Sequence, residues 1–317
     1  MNKDVSIVIP AYNNDESLPL LLKCINQQNF LPKRVILVNS KVKTDLYLDS
    51  KNLKFELKII NIEPSYPGKA RNYGIDFSKD NFIAFLDCKT FPNKKWLSNS
   101  LEHLINNKKE VIIGSRTTQS TNHFSELIKA LTYGNNIVMS LSGSLLYAKI
   151  AKQNFFDENI LAGEDLMWIE KISNNYKTCY QTENFLVYNN LPVNFKSFIK
   201  KWFIYSQHNS NITELLINQR KYYMIIILLL ITINLIYFFQ NYLNLTLNYI
   251  YLIYVYGVLF SIYFFIRSII RPVFVANMPL KFILPYNWLK IGFLGFLIDV
   301  IKIPGLLKGF LLQTMSR

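Results

Sequence analysis

The stretch VSIVIPAYNN, residues 5–14, decides the fold. Five residues from Val5 to Ile9 are apolar apart from Ser6, and Pro10 ends the run. A short apolar run closed by a proline reads as a buried parallel strand followed by a loop. Working outward, Ser17–Ile25 has helical spacing, with Leu18, Leu21, Leu22 and Ile25 on one side and Pro19 in the first turn. Further strands are predicted at Arg34–Asn39, Phe55–Ile60, Phe82–Leu86 and Val111–Gly114, and helices at Lys69–Phe77, Trp96–Asn106 and Leu166–Ser173. Strands alternating with helices predict an α/β domain with a mostly parallel central sheet. In such sheets ligands lie outside the carboxyl ends of the strands. Asn39, Asp87 and Arg116 fall near those ends. The region Thr117–Ala162 shows no regular pattern.

A second feature divides the chain. Residues 222–266 contain no Asp, Glu, Lys or Arg, between Lys221 and Arg267. One bilayer crossing needs about 20 apolar residues, so two are expected, at Tyr222–Phe239 and Tyr249–Ile266. Basic residues on both flanks, Lys200, Lys201 and Lys221 before and Arg267 and Arg271 after, predict that both ends are cytoplasmic. Pro279–Arg317 is apolar but broken by Lys281, Lys290, Asp299, Lys302 and Lys308, and Pro285 and Pro304 are expected to interrupt any long helix. It reads as short amphipathic pieces in the membrane interface. The domain plan is therefore 1–205 for the α/β domain, 206–221 as a juxtamembrane linker, 222–270 as two transmembrane helices and 271–317 as an interfacial tail.

Composition agrees with this division. The 317 residues carry a net charge of +14, a pI near 9.5, 50% hydrophobic residues and a mean hydropathy of +0.14. A basic chain can meet nucleic acid, an acidic substrate or an anionic membrane. Neither zinc-finger spacing nor a basic-aromatic repeat supports nucleic acid. Cys24, Cys88 and Cys179 are few, scattered and odd in number, so neither a disulfide framework nor a metal cluster follows. The N-terminus enters a strand at once and shows no signal-peptide pattern, which predicts a multi-pass cell-membrane protein with its α/β domain in the cytoplasm.

Taken singly, the polar residues are modest signals. Asp87 at a strand end suits a sugar hydroxyl or a cation, or a plain turn. Glu164-Asp165 after Gly163 suits a helix N-terminus, where unpaired N–H groups favour carboxylates. Arg71, after the turn Pro67-Gly68, could reach a phosphate.

As an ordered set they resemble a family 2 glycosyltransferase of the GT-A fold. The matching pieces are Val5–Asn13, Gly68-Lys69-Ala70-Arg71-Asn72-Tyr73-Gly74, Phe85-Leu86-Asp87, Pro92, Trp96-Leu97, Gly114-Ser115-Arg116 and Gly163-Glu164-Asp165-Leu166, spread over residues 4–205. The resemblance implies inverting transfer of a sugar from a nucleotide-sugar donor. It implies that Pro10, Tyr12 and Asn39 line the base pocket and that Arg71 and Asn72 lie beside the nucleotide or its phosphates. It implies Asp87 near the ribose and a divalent cation, Mg2+ or Mn2+, Asp165 as catalytic base, and Glu164 as its helper or as a positioner of the acceptor. Ser142-Gly143 falls near the sugar and acceptor channel. With the membrane segments, the expected acceptor is lipid-linked or a cell-surface glycan, beside an anionic bilayer.

Two departures bear on chemistry. Asn39 stands where the family pattern has Asp, exchanging a charge for a neutral amide. The Asp-any-Asp motif reads Asp87-Cys88-Lys89. An ammonium repels a divalent ion. Lys89 either neutralises the diphosphate itself, or points away and leaves the metal to Asp87 and substrate phosphates, or marks a catalytically impaired membrane protein that binds or scaffolds without transfer. Asn189 falls where the family often carries a His, removing another ligand.

Overall fold

The structure is a computed structural model that describes residues 3–12, 17–40, 52–209, 231–239 and 249–315. Chain contacts group these into two compact units: Met1–Asn122 with Asn135–Leu191, and His123–Gly134 with Pro192–Arg317.

The first unit is built on strands β1 (Val5–Ala11), β2 (Arg34–Asn39), β3 (Glu56–Asn61), β4 (Phe82–Phe85), β5 (Thr90–Phe91), β6 (Val111–Thr118), β7 (Val138–Tyr147), β8 (Thr178–Tyr180) and β9 (Leu186–Tyr188). They form one sheet in the order β3-β2-β1-β4-β7-β6-β9-β5, with β8 also paired to β6. The edge β3-β2-β1-β4 is parallel, as the apolar runs predicted. The sheet as a whole is mixed. Strand β7 runs antiparallel to both β4 and β6, and β5 antiparallel to β9. Strand β7 lies in the stretch read as irregular, because Ser140, Ser142, Gly143 and Ser144 interrupt its apolar pattern.

Side-chain alternation along each strand sorts the core into two layers. Val5, Ile7 and Ile9 of β1 and Val35 and Leu37 of β2 pack with α1 (Leu18–Asn26) and α3 (Trp96–Asn106). Val8, Ile36 and Val38 point to the other face, toward α2 (Pro67–Phe77), α5 (Ala148–Gln153) and α6 (Glu164–Asn175). With Phe82, Phe85 and Trp96 fully buried, each large side chain contributes about 1.5–3 kcal/mol relative to exposure. Both faces of the sheet are thus covered, which leaves the strand ends as the place for polar chemistry.

The second unit contains α4 (His123–Leu131), α7 (Phe195–Asn209) and apolar helices toward the C-terminus. The expected boundary at 205/206 falls inside α7, and α4 joins this unit despite preceding β7 in sequence; apolar packing of Leu127 and Ile128 decides the grouping. Residues 231–238 are helical, while the rest of the first expected crossing lies outside the described residues. The second expected crossing is the helix Tyr249–Phe265, which continues as the π-helix Ile266–Val275. Its segment Ile253–Val275, with mean hydropathy 1.8 and little burial, is the one helix among the described residues long and apolar enough to cross a membrane.

The tail differs from the expected short pieces. Asn287–Met315 is one helix with Pro304 inside it. Its inward face carries Ile291, Leu294, Ile298 and Leu306, and packing there outweighs the hydrogen bond lost at the proline. An outward stripe of Leu289, Phe293, Phe296, Val300, Ile303 and Leu307 stays exposed at helical spacing.

Candidate active site

The site forms where β4 ends, where α2 begins and where α6 starts. Leu86 N–H donates to Val8 O at 3.2 Å, carrying the chain past β1 into Asp87. The Asp87 turn is tied down by hydroxyls. Asp87 N–H donates to Ser142 Oγ at 2.9 Å and to Thr90 Oγ1 at 3.1 Å, and those two oxygens lie 2.6 Å apart. Thr90 Oγ1 also donates to Asp87 O at 2.7 Å. Ser142, given by the sequence only as a channel neighbour, is therefore a prop for the Asp87 loop.

Gly163 opens α6 in the left-handed region, φ 96°, where a side chain would strain the backbone. That turn puts Glu164 and Asp165 in the first helical turn, where the helix dipole favours anions. Glu164 is buried and Asp165 half-buried. Asp165 Oδ1 accepts from Leu166 N–H at 2.9 Å.

Arg71 connects these two loops. Its Nη1 donates to Glu164 Oε1 at 2.7 Å and its Nη2 to Asp87 Oδ1 at 3.0 Å. Its side chain is 5% exposed, and Cζ sits 5.3 Å from the Phe156 ring centroid. Phe156 is in turn stacked on Trp168, centroids 4.9 Å apart. Burial works against the charged guanidinium, but Asp87, Glu164 and Asp165 more than offset it and hold the Arg71 pKa above its ordinary value. Arg71 is thus a charged strut between two acidic loops. Burial raises the pKa of Glu164, with Arg71 opposing and Asp165 adding to the rise. Burial likewise raises Asp165, with Arg71 opposing and Asp87 reinforcing the rise.

Arg116, on β6, also acts electrostatically on Asp165. Its Cζ stands 3.9 Å from the centroid of the Tyr188 ring. Sequence reading placed Arg116 at a strand end and gave it no role. The signal was weak: an arginine after Gly-Ser says nothing of a tyrosine 72 residues on.

The remaining expected residues divide. Lys89 Nζ donates to Asn190 Oδ1 at 3.1 Å, and Lys89 O accepts from Asn189 N–H at 3.0 Å. Lys89 and Asn189 therefore meet, one just before β5 and the other just after β9. Among the described residues Lys89 makes no ion pair with Asp87. Tyr12 is 55% exposed at the end of β1, and Pro10 O accepts from Cys88 Sγ at 3.2 Å. Asn39 is buried and donates from Nδ2 to Asn61 Oδ1 at 2.9 Å, across the β2–β3 register.

Asn72, expected beside the nucleotide, is used otherwise. Its Nδ2 donates to Phe156 O at 3.0 Å and Glu158 Oε1 at 2.9 Å, and its Oδ1 accepts from Phe156 N–H at 2.9 Å. A side-chain amide has few groups to spare after that. Asn72 clamps the Phe156 loop on which the Arg71 guanidinium rests.

The donor set does not fit a divalent ion held by the protein alone. Among the described residues no group of three or more His, Cys, Asp and Glu side chains is placed to hold a metal ion. Asp87 Oδ1 is engaged by Arg71, and Lys89 occupies the loop position where a second carboxylate would be needed.

Residues 6–142, from β1 into β7, match the family model described as Glycosyl transferase family 2. The chain is 27% identical to the chondroitin synthase of Pasteurella multocida (strain Pm70) over 132 residues, 39% of this chain and 14% of that protein. It is 26% identical to the poly(ribitol-phosphate) beta-N-acetylglucosaminyltransferase TarS of Staphylococcus aureus (strain Mu50 / ATCC 700699) over 184 residues, 52% of this chain and 32% of the relative. It thus spans well under half the length of either curated relative. The crystal structure of S. aureus TarS 1-349 in complex with UDP-GlcNAc superposes with a TM-score of 0.48 at 17% identity, covering 66% of this chain and 67% of that one.

Proposed function

We propose that the first unit is an inverting glycosyltransferase that moves a sugar from a nucleotide-sugar donor to a lipid-linked or cell-surface glycan acceptor at the cell membrane. One observation carries the reading: Arg71 ties Asp87 and Glu164 together beside Asp165, at the ends of the strands. The strut holds a donor-side acid and an acceptor-side acid at fixed separation, and fixed geometry is what transfer demands of an enzyme.

In this mechanism the acceptor hydroxyl oxygen attacks the anomeric carbon. Asp165 takes the hydroxyl proton, and its raised pKa makes it a stronger base than an ordinary carboxylate. The bond from the anomeric carbon to the diphosphate oxygen breaks on the opposite face, and the nucleoside diphosphate leaves with the electron pair. Charge growing on that group is offset by Lys89, just before β5 and held by Asn190, and by Arg116 on β6. Glu164 anchors Arg71 and helps to position the acceptor or Asp165. Tyr12, Pro10 and Asn39 stand at the β1 and β2 ends as the base-binding side.

The uncharged stretch 222–266, the apolar helix Ile253–Val275 and the basic flanks support a multi-pass membrane protein with the transferase unit in the cytoplasm. By name one curated relative is a chondroitin synthase and the other an N-acetylglucosaminyltransferase for poly(ribitol-phosphate), which supports transfer of a sugar to a polymeric acceptor.

The test is Asp165→Asn in membranes, over a panel of nucleotide sugars and acceptors. Transfer should be lost and donor binding kept. Full turnover by this variant would remove Asp165 from the role, and donor binding by the wild type without transfer to any acceptor would identify an impaired, scaffold-like protein.

A further inference from the structure

The second unit buries a charged cluster with no use in the transfer chemistry. Arg267, on the π-helix, is 7% exposed. Its Nη2 donates to Gly295 O at 3.0 Å, and its Nε lies 3.2 Å from Asp299 Oδ2. Tyr263 Oη donates to the same Asp299 Oδ2 at 2.8 Å. Arg267 and Asp299 balance each other's charge, so this pair alone reads as structure. Lys302 breaks the balance. Its Nζ is 3.8 Å from Asp299 Oδ1, too far for a hydrogen bond, and 5.6 Å from the centroid of the Trp202 ring. Arg271 lies within electrostatic reach of Lys302 as well. Two cations, Arg267 and Lys302, therefore stand at one carboxylate, and the exposed Arg271 adds positive charge nearby. Trp202 adds a buried indole Nε1–H with no acceptor among the described residues.

This is built geometry. A Cβ at Gly305 would run into Ser206 Oγ, so only a glycine lets the helix Asn287–Met315 approach α7 closely enough to set Lys302 over Trp202. Ionisable groups kept in an apolar environment are costly and mark ligand or ion sites. Surplus positive charge and an unused N–H donor suit an anion with several acceptor oxygens. The same helix also carries an exposed apolar stripe on another face, which suits the chain of a lipid.

We propose that Lys302, set beside the Arg267–Asp299 pair and Trp202 and helped by the exposed charge of Arg271, binds a phosphate or diphosphate group, carried either on a lipid or free in solution. The inference rests on the membrane-side acceptor proposed above, and would make this unit the holder of its phosphate end.

The experiment uses the full chain in neutral detergent, titrated calorimetrically with a short-chain polyprenyl monophosphate and, separately, with inorganic pyrophosphate. Lys302→Gln and Arg271→Gln should each weaken binding about tenfold or more. Lys308→Gln, basic and on the same helix but over Phe203, should leave it unchanged, as should donor binding in all three. Loss on the lipid probe alone assigns a headgroup site; loss on both probes, or on pyrophosphate alone, assigns a phosphate site open to soluble ligands. Unchanged affinity for both probes in Lys302→Gln and Arg271→Gln, or an equal loss in Lys308→Gln, overturns it. Sugar transfer is assayed separately, so phosphate binding without transfer would overturn the transferase reading and leave this one standing.

Discussion

Arg71 and Glu164, 93 residues apart in the chain, form a buried ion pair with Nη1 2.7 Å from Oε1. The pair joins a helix that opens with Pro67-Gly68 to a helix that starts from a left-handed glycine. Asp87 shares the same guanidinium. Breaking such a pair leaves an uncompensated charge in the interior, so Arg71→Met should cost about 3–5 kcal/mol. Arg71→Lys keeps the charge but not the two-pronged fork, and should recover only part of the loss. Unfolding of the detergent-solubilised chain, followed by near-ultraviolet dichroism, measures both. Wild-type stability in Arg71→Met would mean that the strut carries no structure.

Asp165 has its pKa raised, first by burial and then by Asp87 against the pull of Arg71. As a base it must be ionised, so transfer should rise with pH through a midpoint above the ordinary carboxylate value of 3.8. Stability runs the other way. Between 3.8 and the raised value the folded carboxyl holds a proton that the unfolded chain releases. Raising pH through that window therefore lowers stability, and the contribution is fully gone above the folded pKa. Asp165→Asn should flatten this slope; an unaltered pH profile of unfolding would contradict it.

Lys89, just before β5, is held by Asn190 Oδ1 at 3.1 Å, just after β9. If its ammonium meets the donor diphosphate, Lys89→Ala should weaken donor affinity about tenfold in the absence of divalent ions, the scale of one charged hydrogen bond. Calorimetry in chelator reads this directly. Equal affinity in the variant would place the leaving-group charge elsewhere.

Gly74 faces Val8 where α2 lies on β1. A Cβ there would run into Val8 Cγ1. Gly74→Ala should destabilise by about 1–3 kcal/mol through overpacking. Removing the Val8 branch in Gly74→Ala/Val8→Ala should give back part of that cost, and strictly additive losses in the cycle would show that the two do not interfere.

Much of the first unit was legible because its strands are apolar runs bounded by turn residues. β1, β2 and β4 and the helix Trp96–Asn106 fall where periodicity put them. Strand β7 was not, since Ser140, Ser142 and Ser144 are buried polar residues, two of them bonded to distant segments, and they break the apolar pattern. The acids Asp87, Glu164 and Asp165 do gather near one arginine. What the sequence could not show is division of labour within a motif. Arg71 and Asn72 are adjacent, yet one reaches the carboxylates and the other clamps the Phe156 loop. Pro304 misled for a tertiary reason: the helix around it is held by its packed face, which no local rule records.

The chain enters the second unit at His123, leaves it at Gly134, and returns at Pro192. Cutting after residue 205 would therefore not release a self-sufficient enzyme. The excised piece would still carry Leu127 and Ile128, robbed of the helices that shelter them. Such a fragment should clump unless that short excursion is made hydrophilic, so biochemical work calls for the whole polypeptide in a lipid-like solvent.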